Sequence, residues 1–167
     1  MINTIHRLIP VMIIFLLGFT TAHIYDNLAA AGFEQPFTSA LGLAAERQSP
    51  GDHVEQDKIH VYNNRIVIDL KDASWSTFAD TNSMDPLIDV GTNGLEIKPT
   101  TPKDIKIGDV ISFTTDFTAG VVIHRVINTG VDSEGWYAVT KGDNNPSADP
   151  GKRRFEDVQG VLVGVIY

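Results

Sequence analysis

From position 59 to the end of the chain, apolar residues recur in short runs with a period of two. The runs fall at 59–62, 65–70, 94–98, 109–113, 120–127, 136–140 and 158–167, and Gly, Pro, Asn and Asp separate them. A period of two places alternate side chains on opposite faces of a pleated strand, and the abundance of Val and Ile in these runs favours strand over helix. Residues 58–167 are therefore expected to form a mainly β domain. The pair Asn63-Asn64, between the first two runs, predicts a hairpin closed by a type I′ turn, because Asn tolerates the positive φ that this turn needs. No internal repeat, heptad or low-complexity tract interrupts the pattern.

The amino-terminal part reads differently. No charged side chain lies between Arg7 and Asp26, and 8–19 is nearly continuous hydrocarbon. About 17–25 residues span a bilayer as a helix, and Pro10 would sit in the first turn, where its missing N–H costs little. A cleaved signal peptide is the competing reading, with Arg7 as its charged start and Thr20 and Ala22 as a small-residue cleavage pattern. The retained anchor is preferred on length. The positive end at Arg7 against the acidic residues that follow puts the amino terminus in the cytoplasm and the β domain outside. This gives a cytoplasmic end and transmembrane anchor at 1–25, a juxtamembrane linker at 26–57 with a weak helix and a flexible spacer, and the β domain beyond.

Composition removes several classes of function. At 167 residues the chain can bury one core, and its formal charge of −8, from 13 Lys and Arg against 21 Asp and Glu, argues against nucleic acid as a partner. The absence of Cys excludes disulfides, a thiolate zinc site and a Cys nucleophile. No metal or other cofactor is expected, since a lone His without a ligand cluster is poor zinc-binding material and no glycine-rich phosphate loop is present.

Three segments stand apart from the β background: Asn82-Ser83-Met84-Asp85-Pro86, Ile123-His124-Arg125-Val126, and 141–151, which opens Lys141-Gly142-Asp143-Asn144-Asn145 and contains Asp149. Together they offer one hydroxyl, one imidazole and two carboxylates. A Ser hydroxyl is a feeble nucleophile until a base accepts its proton, and an imidazole held in one tautomer by a carboxylate is the commonest solution. Each residue alone also has a bland reading. Ser83 suits a turn, His124 suits the interior of an apolar strand, and Asp143 and Asp149 lie where Asp is first a turn former.

In this order after one amino-terminal anchor, the segments resemble the boxes of the type I signal peptidases in their archaeal and endoplasmic-reticulum branch. Ser83-Met84-Asp85-Pro86 corresponds to the Ser-Met-x-Pro box, His124-Arg125-Val126 to the His-Arg-Val strand and Lys141-Gly142-Asp143-Asn144-Asn145 to the Lys-Gly-Asp-Asn-Asn box. Gly108-Asp109-Val110-Ile111 matches a further element between the first two, and the resemblance runs from about Trp75 to Tyr167. It implies a signal-peptidase-like β catalytic domain behind one membrane anchor. Its task would be to remove signal peptides from exported preproteins at the outer membrane surface, with membrane lipid and signal peptides as partners.

The same resemblance implies Ser83 as nucleophile, His124 as general base in place of the Lys of the bacterial branch, Asp149 as the acid that orients the imidazole, and Asp143 as a supporting acid, proposed to pair with Arg125. The backbone N–H of Ser83 would be the first oxyanion donor and the Thr81 hydroxyl a second. Two features depart from the family pattern: Asn82 stands where a small residue is usual, and 87–94 replaces the usual continuation after Pro86. Two other readings compete with the enzyme. One is an inactive membrane-tethered β domain that binds peptides or partner proteins; the other is a Ser-Lys protease that uses Lys98, Lys103 or Lys106.

Overall fold

The computed structural model describes Thr20 and residues 47–167. The expected anchor at 1–25, apart from Thr20, and most of the linker lie outside the described residues. Among the described residues no helix is long and apolar enough to cross a membrane.

A compact unit spans Gln48–Tyr167. It contains nine strands: β1 (Ile59–Tyr62), β2 (Arg65–Ile68), β3 (Ala73–Thr77), β4 (Asn93–Ile97), β5 (Val110–Thr114), β6 (Val121–Asp132), β7 (Gly135–Lys141), β8 (Arg153–Arg154) and β9 (Val158–Ile166). The mainly β expectation thus holds over the described residues. Strands β1 and β2 form a separate ribbon, and the other seven form one sheet in the order β3-β4-β9-β5-β6-β7-β8. Every pairing is antiparallel.

Strand β9, last in the chain, lies between β4 and β5 and is covered on both faces. A register shift against β5 at Gln159 brings Val158 onto the face of Val161, in a core with Ile105, Ile111, Phe113, Val126 and Ala138, while Leu162, next in the strand, joins a second core with Met84, Ile88 and Val110. Neighbouring residues such as Val110 and Ile111 therefore enter different cores, which explains the consecutive apolar pairs Val110-Ile111 and Val161-Leu162. Phe113 has no exposed surface, and truncating it to Ala would cost about 3–5 kcal/mol.

Three expectations need correction. The hairpin forms in the expected register, Tyr62 opposite Arg65, but neither Asn63 nor Asn64 has positive φ, so its turn is not type I′. With only one partner strand, this short ribbon can accept the splay of an unprimed turn. Strand β3, Ala73-Ser-Trp-Ser-Thr77, has too little apolar alternation to be read from sequence and forms by pairing along the whole of β4. Strand β6 runs on to Asp132 through Asn128 and Gly130, residues that read as breakers. A bulge between Val126 and Asn128 lets the strand leave β5 and continue along β7, and Gly130 makes room for the Tyr137 ring.

Candidate active site

Ser83 lies on the long connection between β3 and β4, and its backbone is held by the segment that follows β7. Asn144 N donates to Ser83 O at 2.9 Å, and Asn144 Nδ2 donates to Asn82 O at 3.0 Å. Gly142 packs so closely that a Cβ there would lie 2.6 Å from Ser83 O. Asn82 takes φ 55°, the left-handed geometry that Asn accepts more readily than most residues, and so makes the bend that presents Ser83. Met84 is buried in the second core and anchors the bend from below. Ser83 is half-buried, and its hydroxyl hydrogen-bonds Thr81 Oγ1 at 3.2 Å. Among the described residues no hydrogen bond joins it to His124.

His124 comes from β6 and is 7% exposed. Its Nδ1 lies 2.7 Å from Asp149 Oδ2, and the same oxygen accepts the Thr140 hydroxyl at 2.7 Å. An ionised carboxylate only accepts hydrogen bonds, so Nδ1 carries the proton and the neutral ring leaves Nε2 as an acceptor. Asp149 is itself held by its backbone, its N donating to Thr140 O at 2.8 Å. Burial alone would raise its carboxyl. Hydrogen bonds from His124 and Thr140, with the charges of His124 and Arg153, outweigh that and hold it below the ordinary 3.8.

The residue next to His124 on β6 points to the other acid. Arg125 Nε and Nη2 grip the two oxygens of Asp143 at 2.8 and 2.7 Å, while Nη1 donates to Gly108 O at 2.6 Å. This buried fork ties the loop after β7 to β6 and to the turn before β5. Alternation along β6 sends His124 and Arg125 to opposite faces, so two acids six positions apart receive different partners. The Arg125–Asp143 pairing is the one expected from sequence.

Ser83, Thr81 and His124 line one cavity of about 780 Å³, together with Phe78, Ile88 and Val122. The structure thus joins His124 to Asp149, places Ser83 and His124 on the lining of one cavity, keeps Thr81 against Ser83, and turns Asp143 to Arg125. Lys98, Lys103 and Lys106 do not line this cavity. Among the described residues no group of three or more His, Asp or Glu side chains is placed to hold a metal ion.

Sequence reasoning missed Thr140, Arg153 and Glu96. Thr140 has a legible signal, since it shares the inward parity of Ala138 along β7. Arg153 lies against the rings of Phe113 and Phe117, and it hydrogen-bonds the O of Pro150, the residue after Asp149. No local pattern marks it.

Over 84 residues, half of this chain, the sequence is 32% identical to Signal peptidase I W of Bacillus subtilis strain 168, and the match covers 44% of that protein. The chain thus spans less than half the length of this curated relative. The similarity supports a relationship to the type I signal peptidases. The relative is bacterial, so the match does not carry the archaeal and endoplasmic-reticulum branch that the boxes suggested. No family model and no solved structure matches the chain.

Proposed function

We propose that this chain is a membrane-anchored serine endopeptidase that removes signal peptides from exported preproteins, using Ser83, His124 and Asp149 in the manner of the archaeal and endoplasmic-reticulum branch. The observation that carries the reading is the His124–Asp149 contact, whose imidazole lines the same cavity as Ser83. In the reaction, Ser83 Oγ turns from Thr81 toward His124 Nε2 and attacks the scissile carbonyl as Nε2 takes its proton. The resulting imidazolium is stabilised by Asp149 and returns the proton to the departing amine, leaving an acyl-enzyme. Water, deprotonated by His124, then releases the new carboxyl terminus and regenerates the hydroxyl. The Ser83 N–H and the Thr81 hydroxyl are the proposed oxyanion donors, and Asp143 supports the loop through Arg125.

The substrate would lie extended in the cavity, its backbone paired to an exposed strand edge. An anchor within 8–22, with the amino terminus in the cytoplasm, would hold the β domain outside the cytoplasm, where the end of a signal helix emerges. The Ser83–Thr81 hydrogen bond is what favours the second reading, an inactive peptide-binding domain that keeps the fold. Incubating the full chain in vesicles with a preprotein decides between them. Cleavage by the wild type that is lost in both Ser83→Ala and His124→Ala supports the enzyme; no cleavage by a folded wild type that still binds the signal peptide supports the binder. Protease added outside spheroplasts should reach the β domain, and full protection would reverse the proposed topology.

A further inference from the structure

The cavity that holds Ser83 also contains a buried carboxylate that the proposed mechanism does not use. Glu96 is in the middle of β4, only 4% exposed, and lines the cavity with Ser74, Ser112 and Gln159. Alternation along β4 puts it on the same face as Gly94, which packs against Phe78 and Leu162. Gly160 of β9 leaves the space it occupies, since a Cβ there would collide with Glu96 Oε2. The Ser112 hydroxyl donates to the same Oε2 at 2.5 Å, and Ser74 stands directly opposite Glu96 on the neighbouring strand.

Two facts distinguish this carboxylate from a structural one. Among the described residues no Lys, Arg or His pairs with it, whereas the buried Asp143 has Arg125 and Asp149 has His124. No described residue donates a hydrogen bond to its second oxygen, Oε1, and the side chain belongs to the lining of the cavity. Burying a charge without a counter-charge is costly, and a ligand that brings a cation recovers that cost on binding.

We propose that Glu96, with Ser112 and Ser74, forms a subsite that binds a lysine side chain of the peptide lying in the groove. A lysine ammonium has three donors directed tetrahedrally, which suit one free carboxylate oxygen and nearby hydroxyls. A guanidinium fork needs two parallel acceptors, and Ser112 already engages one of them. The inference rests on the peptidase reading for the nature of the ligand, and Glu96 acts in it as a specificity residue rather than a catalytic one.

The test separates binding from cleavage. In the full-length Ser83→Ala chain, a set of fluorescent signal-peptide analogues carries lysine or the uncharged norleucine at each position around the cleavage site, and affinity is read by anisotropy. At one position lysine should bind more tightly than norleucine by on the order of tenfold, as expected for a charge-assisted hydrogen bond. Adding Glu96→Gln should remove that preference while leaving norleucine binding unchanged. Ser74→Lys, at an exposed position where folding is not at stake, should remove it as well by placing a tethered ammonium in the subsite. The proposal falls if no position prefers lysine, or if the preference survives Ser74→Lys or a folded Glu96→Gln. A glutamate-dependent lysine preference in a chain whose wild type cleaves no preprotein would keep the subsite and overturn the peptidase reading.

Discussion

Two imidazoles in this chain meet a carboxylate at similar distances, His124 with Asp149 at 2.7 Å and His53 with Asp109 at 2.9 Å, in settings that give them different work. Asp109 has no exposed surface and also accepts the N–H groups of Gly51 and Lys106, both at 2.7 Å. Three donors from two segments converge on it, and the result is a staple that fastens 51–53 to the turn before β5. Asp149 is fixed as firmly, by Thr140 and its own backbone N–H, but the imidazole it holds borders a cavity shared with a serine. The two pairs also use different ring nitrogens: Nε2 faces the carboxylate in His53, whereas in His124 it is Nδ1, which leaves Nε2 for chemistry. A His–Asp contact by itself therefore indicates tautomer and orientation, and the space beyond the ring determines what the pair can do.

The largest effect should separate the two histidines. His124→Ala is expected to lower the rate of preprotein cleavage by about 10⁶, the scale seen when the base of a serine protease is removed, while His53→Ala leaves turnover of the folded fraction within a few-fold. Equal losses in single-turnover assays would make the two pairs one functional unit. His124→Lys should not restore activity, because a lysine would need its pKa lowered by a site built for imidazole.

The next effect separates the acids. Asp149→Asn keeps size but removes the charge that stabilises the imidazolium, and should cost on the order of 10⁴ in rate with little change in fold. Asp143→Asn should cost less activity and more stability, about 3 kcal/mol, because it leaves the buried Arg125 guanidinium without its counter-charge. Urea unfolding of both variants, beside cleavage of one preprotein, checks the ordering, and the reverse ordering in folded proteins would exchange their roles.

Asp109→Asn should act on stability alone. It weakens a carboxylate that satisfies three donors and is expected to lower unfolding free energy by about 1–3 kcal/mol, with unchanged turnover per folded molecule.

The smallest expected effect is on pH dependence. Because the folded Asp149 carboxyl lies below its ordinary 3.8, its contribution to stability is fully present above that value and is lost as the pH falls below it toward the folded pKa. Acid unfolding followed by circular dichroism should therefore show a shallower limb below about pH 4 in Asp149→Asn than in the wild type, and identical limbs would mean that the carboxyl is not held down.

Much of this was legible in the chain itself. Period-two alternation marked β4, β5, β7, β9 and the first half of β6, because each strand's two faces are set by which residues must leave water, and that information is local. The resemblance to the type I signal peptidase boxes pointed to a bend at Asn82 and to Ser83, His124 and the two acids as the candidate site. What local pattern could not carry was pairing between distant segments. That β9 inserts between β4 and β5, that Ser112 meets Glu96, that Thr140 reaches Asp149, and that His53 finds Asp109 56 positions away all depend on which strands become neighbours. Strand order is decided by the joint burial of two cores and by backbone hydrogen bonds between segments far apart in sequence. Only the folded sheet settles these, because the free energy that selects one neighbour over another belongs to the pair and to neither segment alone.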